Sequence, residues 1–405
     1  RVVERSLAQV DVTAFAMSVP VEIGTDVWRV RTLLVEELKP RFPEEKVVLF
    51  FDEANRADKY LFSVVMEMWS EFAINGIPMP HLVGCVGAIN AEGDDAYAGL
   101  ATFDQAQARR ACMWVELSDS MLPWAEYLCS LAKTDAHRKR IETFCKLFED
   151  NMPDDIRKQV PPRVREWLIY LADAGLPLEW GLGAVGNDYL KIHNSEGDDV
   201  TKEMLSKFAQ ALEAPAVMAE GFKKPYEAAL DFCLASKLNL RIIGGTGIAK
   251  TSRTKQELAA RGVDAVVLSL STVVPETLAY SVPVGDTIET VVCERLMPET
   301  QTRPLVLLAD EFSRADRRTA AAVMPITQGR RLRGQTLKIE MTIALDNPPG
   351  HGVLAMDSGR IDVAQATRFP VTIFVDEETM GCRDYLIKVH GAAAEEAWAW
   401  RLENV

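Results

Sequence analysis

The sequence predicts an α/β protein made of two tandem modules, each with a parallel sheet between layers of helices. Short apolar runs alternate with helical stretches, and parallel strands buried on both faces have this near-continuous apolar composition. Motifs also recur at one spacing, and a glycine-rich segment separates a strand from a helix. The clearest predicted strands are 265–270, 305–309, 341–345 and 371–375.

The composition is that of a globular protein with more than one domain. The chain has 405 residues, of which 48% are hydrophobic and 26% charged. No apolar run reaches the roughly 18 residues of a membrane helix, and no leader sequence opens the chain. With scattered cysteines, these features predict a cytoplasmic protein without a membrane span. The net charge of −14 disfavours general binding of nucleic acid, because phosphate backbones attract basic surfaces.

A repeat runs through the chain. Three landmarks keep one spacing: an acid pair after an apolar strand, an asparagine after a second strand, and an arginine in a polar segment. They are Asp52-Glu53 and Asp310-Glu311, Asn90 and Asn347, and Arg110 and Arg368. The offsets are 310 − 52 = 258, 347 − 90 = 257 and 368 − 110 = 258. Three separate features with one spacing indicate duplication of a module of ordinary domain size.

A glycine-rich loop follows the predicted strand 240–243 and precedes a predicted helix over 252–261. The loop and the start of the helix are Gly244, Gly245, Thr246, Gly247, Ile248, Ala249, Lys250, Thr251 and Ser252. The pattern is G-x-x-x-x-G-K-[ST], with Ala249 in place of the last glycine. Small residues let backbone N–H groups surround phosphate oxygens, while Lys250 reaches the phosphates and Thr251 supplies a hydroxyl for Mg²⁺. The alternative is a glycine-rich turn that caps a helix; the flanking strand and helix favour a nucleotide site.

The acid pairs have two interpretations. They are either solvated carboxylates at a strand end or the residues that serve hydrolysis, in which Asp310 holds Mg²⁺ and Glu311 polarises water. Asp310 lies 60 residues after Lys250 (310 − 250 = 60), a spacing suited to a neighbouring strand of one sheet. The loop favours the functional interpretation. The repeat assigns the same roles to Asp52 and Glu53.

Asn347 and Arg368 complete the predicted site. Asn347 follows a strand expected beside the acid pair, where it either caps a turn or orients the attacking water. Arg368 is either an ordinary surface residue or a cation that enters the site of a neighbouring molecule and stabilises transition-state charge.

Together these residues resemble the MoxR branch of the AAA+ ATPases. Typical features are the loop G-x-x-G-x-A-K-T, the strand end LADEFSRA at 308–315, DNPPG at 346–350 and AQATRF at 364–369. The first module has looser counterparts in NAEG at 90–93 and FDQAQARR at 103–110. Segments 73–80 and 329–335 resemble the β-hairpin inserted in that branch.

The resemblance implies five-stranded parallel cores with helical lids, ATP with Mg²⁺, and hexameric rings. Glu311, Asn347, Glu53 and Asn90 would then be catalytic. By motif position, Arg110 and Arg368 would act on adjacent sites, and Arg163 would contact a γ phosphate as sensor 2, its alternative being a solvated residue of a helix's first turn. The predicted divisions are a first core at 1–117, a first lid and linker at 118–200, a second core at 201–376 and the start of a second lid at 377–405.

Two departures qualify the resemblance. The first module lacks the glycine-rich loop, because the repeat places Arg1 opposite Ala259 (1 + 258 = 259), beyond Lys250. The second module shows no counterpart of Arg163, because the repeat places it near position 421 (163 − 110 = 53 and 368 + 53 = 421), beyond Val405. We therefore expect the chain to be the interior of a longer protein, or its first module to be a degenerate partner.

The predicted function is ATP-driven remodelling or chaperone-like activation of a protein partner, often one with a von Willebrand A domain, by a homo-oligomeric ring. One alternative is a nucleotide-powered motor on nucleic acid, which the acidic composition disfavours. The other is a nucleotide-gated scaffold that barely hydrolyses, which the presence of both Glu53 and Glu311 disfavours.

Overall fold

The protein is described here by a computed structural model, and it is a mixed α/β protein. The structure describes residues 1–7, 15–24, 27–54, 57, 59–89, 113, 115, 121–150, 160, 162–182, 199–215, 225–285, 287–297, 302–333, 335–348, 363–376 and 378–380. The chain forms two compact units. The first contains Arg1–Glu116, Thr272–Thr300 and Asp316–Lys338, and the second contains Leu117–Ser271, Gln301–Ala315 and Ile339–Val405.

The N-terminal part of the first unit is built on a parallel sheet of three strands in the order β1-β4-β7. Side chains of β4 are alternately buried and half-buried, and Phe51 stacks on Trp69 of the following helix with ring centroids 5.8 Å apart. The elements are β1 (Val2–Ser6), β2 (Ala16–Gly24), β3 (Val27–Leu34), β4 (Val47–Asp52), α1 (Lys59–Glu71), β5 (Ala73–Ile74), β6 (Ile77–Pro78) and β7 (Leu82–Gly87).

Helices follow in the second unit and have an aromatic core. Phe144, Phe148 and Phe208 pack with ring centroids 5.0 to 5.3 Å apart. The guanidinium of Arg165, fully buried, lies 4.7 Å from the centre of the Phe148 ring and donates to the Val160 carbonyl. The helices are α2 (Met121–Ser130), α3 (Asp135–Asp150), α4 (Pro162–Asp173), α5 (Glu179–Leu182), α6 (Asp199–Leu212) and α7 (Pro225–Ser236).

The remaining elements include a five-stranded parallel sheet, which confirms the predicted α/β class. These elements are β8 (Leu240–Gly244), α8 (Lys250–Ala260), β9 (Asp264–Ser269), α9 (Pro275–Leu278), β10 (Ala279–Val284), β11 (Thr287–Val292), β12 (Leu305–Asp310), α10 (Arg317–Gly329), β13 (Arg331–Leu332), β14 (Gln335–Thr336), β15 (Ile339–Asp346), α11 (Val363–Ala366) and β16 (Val371–Val375). The sheet order is β16-β8-β15-β12-β9, and the side chains of β12 from Leu305 to Ala309 are all buried, as expected for a strand covered on both faces.

One expectation about this sheet was wrong. The strand that ends at Asp310 is not adjacent to β8, because β15 lies between β8 and β12. The spacing of 60 residues was compatible with adjacent strands and with strands separated by a third, since a crossover connection of this length can pass over one intervening strand. β15 does lie beside β12, as predicted for the strand that precedes Asn347.

The order of elements is repeated with the spacing seen in the sequence. In each half a hairpin, a 3-10 turn, a strand with an acid pair, a helix, a short hairpin and another strand succeed one another. The 3-10 turns are Glu36–Leu38 and Glu294–Leu296, and α1 and α10 are likewise 258 positions apart (317 − 59 = 258). The short hairpins β5-β6 and β13-β14 occupy the two segments predicted for them. The four predicted domain ranges stay predictions.

Among helices in the described ranges, none combines the length and the apolar character that a membrane crossing requires.

Candidate functional site

The glycine-rich loop leaves β8 at its carboxyl end and enters α8 at Lys250. Gly244 lies so close to β16 that a Cβ atom there would be 2.5 Å from the Val375 carbonyl oxygen. Gly247 has a φ of +81°. Ala249 also adopts the left-handed conformation, with φ 59° and ψ 25°, which costs a non-glycine residue roughly 1–2 kcal/mol. The methyl group at Ala249 thus affects the backbone conformation as well as the space in the loop.

The Lys250 ammonium is held above the loop by three acceptors. Its Nζ donates to the carbonyls of Gly244 and Gly245, both at 2.7 Å, and to Asn347 Oδ1 at 3.0 Å. Lys250 is only 9% exposed, and a buried ammonium needs such partners because it has lost hydration. The structure therefore brings together two residues that the sequence assigned to one site.

Thr251 and Asp310 are in direct contact. The Thr251 hydroxyl, in the first turn of α8, donates to Asp310 Oδ2 at 2.7 Å, although β15 lies between β8, which precedes the loop, and β12, which ends at Asp310. The other carboxylate oxygen, Oδ1, accepts the backbone N–H of Glu311 at 3.0 Å. A threonine hydroxyl beside a carboxylate oxygen provides the hard oxygen ligands that Mg²⁺ prefers, so these two residues fit the metal predicted for them.

Glu311 is surrounded by donors that the sequence analysis did not identify. Oε1 accepts from Arg314 Nη1 at 2.8 Å, and Oε2 accepts from the hydroxyls of Ser271 and Ser269. The hydrogen bond from Ser271 is the main reason that the pKa of Glu311 is lowered from its ordinary value, and the charge of Arg314 acts in the same direction. The donors around Glu311 therefore favour its ionised form.

A cavity of about 260 Å³ joins these groups. It is lined by Thr246, Gly247, Ile248, Ala249, Lys250, Thr251, Ser252, Ser269, Asp310, Glu311, Leu345 and Asn347. The cavity lies at the carboxyl ends of parallel strands, where open α/β sheets bind ligands. Most of the residues predicted for the second module's site thus line this one cavity.

The residue before Asn347, Asp346, is part of a buried ion pair. Asp346 is 1% exposed; its Oδ2 accepts from Arg241 Nε at 2.8 Å, and its Oδ1 accepts the backbone N–H of Ser313 at 2.7 Å. Asp346 thereby ties the end of β15 to the turn that follows Glu311. The sequence contained one signal for this role, an acid directly before the predicted asparagine.

Arg368 lies away from this cavity. It precedes β16, whose residue Val371 pairs with Leu240 at the amino end of β8, whereas the loop is at the carboxyl end. Asn239 fixes the backbone here, because its Nδ2 donates to the Arg368 carbonyl at 2.9 Å and its Oδ1 accepts the Thr342 N–H at 2.9 Å. Arg163 is exposed in the first turn of α4 and is not among the residues that line the cavity.

The acid pair of the first unit has the same local geometry as that of the second. Glu53 N–H donates to Asp52 Oδ1 at 3.0 Å, and Glu53 has a φ of 51°, against 53° for Glu311. Ser6 pairs with Asp52 as Ser269 pairs with Asp310. The predicted residues Asn90 and Arg110 lie outside the described residues.

Comparison with known proteins adds no family assignment: no protein-family model matches the chain, and a search of curated proteins found no significant similarity.

Proposed function

We propose that the chain is an ATPase of the AAA+ type, that the loop from Gly244 to Thr251 binds the phosphates of ATP, and that hydrolysis drives the remodelling of a protein partner. The observation that carries this proposal is the direct contact of Thr251 with Asp310 beside a lysine held between the loop carbonyls and Asn347. A helix-capping turn has no need of these long-range contacts, whereas a nucleotide site needs the lysine and the hydroxyl close to the loop.

The chain offers a site for the metal that accompanies ATP. Thr251 and Asp310 would hold Mg²⁺ through the oxygens that now hydrogen bond to each other. Bound there, Mg²⁺ supplies positive charge that stabilises the charge developing on the phosphates. Lys250 adds a second positive charge on the same side of the cavity.

The side chains around the cavity have complementary roles in hydrolysis. Glu311 accepts a proton from a water molecule while the water oxygen bonds to the γ phosphorus. The bond from that phosphorus to the bridging oxygen breaks, ADP and phosphate are released, and the proton passes from Glu311 to the phosphate. Asn347 orients the water from the end of the neighbouring strand.

Assembly of several copies completes the proposal. Arg368 lies near the amino ends of β16 and β8, whereas the loop is at the carboxyl end of β8, so Arg368 serves hydrolysis only if it reaches the cavity of another molecule. This position supports a ring of copies in which each arginine acts on its neighbour. A protein partner, including one with a von Willebrand A domain, follows from the resemblance of the motifs to the MoxR branch.

The test is hydrolysis by Glu311→Gln in a background that carries Glu53→Gln, compared with Glu53→Gln alone. We expect the added substitution to abolish phosphate release while bound ATP accumulates, because the amide cannot accept the proton. Glu276→Gln, at a glutamate whose side chain is 55% exposed, is the matched control. Unchanged turnover after Glu311→Gln, or failure of the wild-type chain to bind ATP, contradicts the proposal.

A further inference from the structure

Within the first unit, the β10-β11 hairpin packs against the segment that follows β3. Val35 and Ile288 form a parallel backbone bridge, and both side chains are buried in one apolar cluster, at 4% and 2% exposure. The Thr287 hydroxyl donates to Glu36 Oε2 at 2.8 Å, and this hydrogen bond is the main cause of the lowered pKa of Glu36. The β10-β11 hairpin of the second repeat thus covers the segment of the first repeat that contains Val35 and Glu36, and this covered segment is called the first edge.

The repeat identifies a second edge of the same kind. At the offset of 258, Leu33 corresponds to Val291, Val35 to Cys293 and Glu36 to Glu294. The correspondence is structural as well, because Glu36 and Glu294 each begin a 3-10 turn. The segment from Val291 to Glu294, here called the second edge, is therefore the counterpart of the covered segment.

Among the described residues, side chains of the second edge are more exposed than their counterparts in the first repeat. Leu33 is 3% exposed, but its counterpart Val291 is 38% exposed. Tyr280, which pairs with Val291 across the hairpin, is 51% exposed. The Cys293 side chain is a free thiol of intermediate exposure where Val35 is buried. Apolar side chains that are buried in one repeat are thus in contact with solvent in the other, and their burial would be favourable.

We propose that the second edge binds the β2-β3 hairpin of a second copy of this chain. The hairpin residues that correspond to Thr287 and Ile288 are Arg29 and Val30. In the new contact, Val30 would lie opposite Cys293, and Arg29 would lie opposite Glu294. The hydroxyl–carboxylate bond within one chain becomes a pair of opposite charges between chains, which strengthens a hydrogen bond.

The contact joins two different surfaces of identical chains. Such a heterologous interface propagates, and it closes into a ring or extends as a filament. The inference deepens the ring assembly in the proposed function and rests on it for closure, but the surface itself follows from the repeat and requires no hydrolysis.

A disulfide tests the contact, because Cys293 already supplies one thiol. Partners in a backbone bridge lie about 5 Å apart, within the Cα separation that a disulfide permits. We expect Val30→Cys in the full chain to form covalent dimers and higher multimers under mild oxidation, and Cys293→Ser in the same chain to remove them. The intrachain pair Val35→Cys with Ile288→Cys is the reference for the geometry, since it should crosslink without an increase in mass.

A charge exchange gives an independent test in reduced protein. By sedimentation, Glu294→Arg should reduce the oligomeric mass, and Arg29→Glu in the same chain should restore it. An oligomer without crosslinking and without charge rescue overturns this surface but leaves ring assembly standing. A chain that is monomeric at all concentrations overturns both, while nucleotide hydrolysis is still decided separately by Glu311→Gln.

Discussion

Replacement of Lys250 by alanine should weaken nucleotide binding more than any change outside the cavity. The Lys250 ammonium already lies at the loop, where Gly244, Gly245 and Asn347 accept its three N–H groups, so a phosphate oxygen would take the place of one of these acceptors. A hydrogen bond to a charged group contributes about 1.5–3 kcal/mol. If one such bond to phosphate is lost, the Kd for ATP rises about 10- to 150-fold, at about 1.4 kcal/mol for each factor of ten.

The assay is a titration of a fluorescent ATP analogue followed by anisotropy in the presence of Mg²⁺. Lys255→Ala is the matched control, since Lys255 is exposed on the same helix and its loss changes the net charge equally. An affinity that falls equally in both variants means that only overall charge matters. Steady hydrolysis by Lys250→Ala in the Glu53→Gln background refutes the assignment of catalysis to this loop.

Three further outcomes are expected. Arg368→Ala should leave the Kd for ATP unchanged and lower kcat by about 1,000-fold or more, measured in the assembled protein. A loss of ATP affinity as large as the loss of kcat would contradict a role confined to hydrolysis. Ser271→Ala should raise the pKa of Glu311 towards its ordinary value, so the acid limb of the kcat/KM profile moves to higher pH; an unmoved limb excludes Glu311 as the titrating base. The direction of this shift follows from the lowered pKa, which keeps the Glu311 carboxylate ionised to lower pH. The stability that the ionised carboxylate contributes is present above the ordinary pKa and is lost as the pH falls through the lowered pKa. Asp346→Ala should destabilise the second unit by about 3–5 kcal/mol, because it leaves a largely buried guanidinium without its carboxylate. In denaturant unfolding, addition of Arg241→Met should recover part of that loss; strictly additive losses would mean that the pair is not coupled.

The sequence was sufficient for the parts of the site that depend on local patterns. An apolar run before Asp310 and Glu311 specifies a buried strand with two acids at its end, and strand, loop and helix around Lys250 follow from glycine placement and apolar periodicity. These features are encoded within about ten residues, and the described structure contains each of them. ATP hydrolysis and remodelling stay predictions, since neither can be inferred from a strand order.

Long-range side-chain contacts were beyond sequence reasoning. Ser269 and Ser271 lie about 40 positions before Glu311, and serines at that distance have no pattern that marks them. The place of β15 between β8 and β12 depends on pairs of strands that are far apart in the sequence. The left-handed conformation of Ala249 is likewise a result of tertiary packing, because alanine by itself prefers other conformations.

The two long hairpins differ in length, and this makes the repeats unequal. Ser6 and Asp52 are separated by 52 − 6 = 46 positions, but Ser269 and Asp310 by 310 − 269 = 41. The strands account for the difference, with nine and eight residues in β2 and β3 against six each in β10 and β11. Two extra rungs extend the N-terminal ribbon by about 7 Å. The two repeats therefore carry ribbons of unequal length, so a contact made along the longer ribbon has no full counterpart along the shorter one.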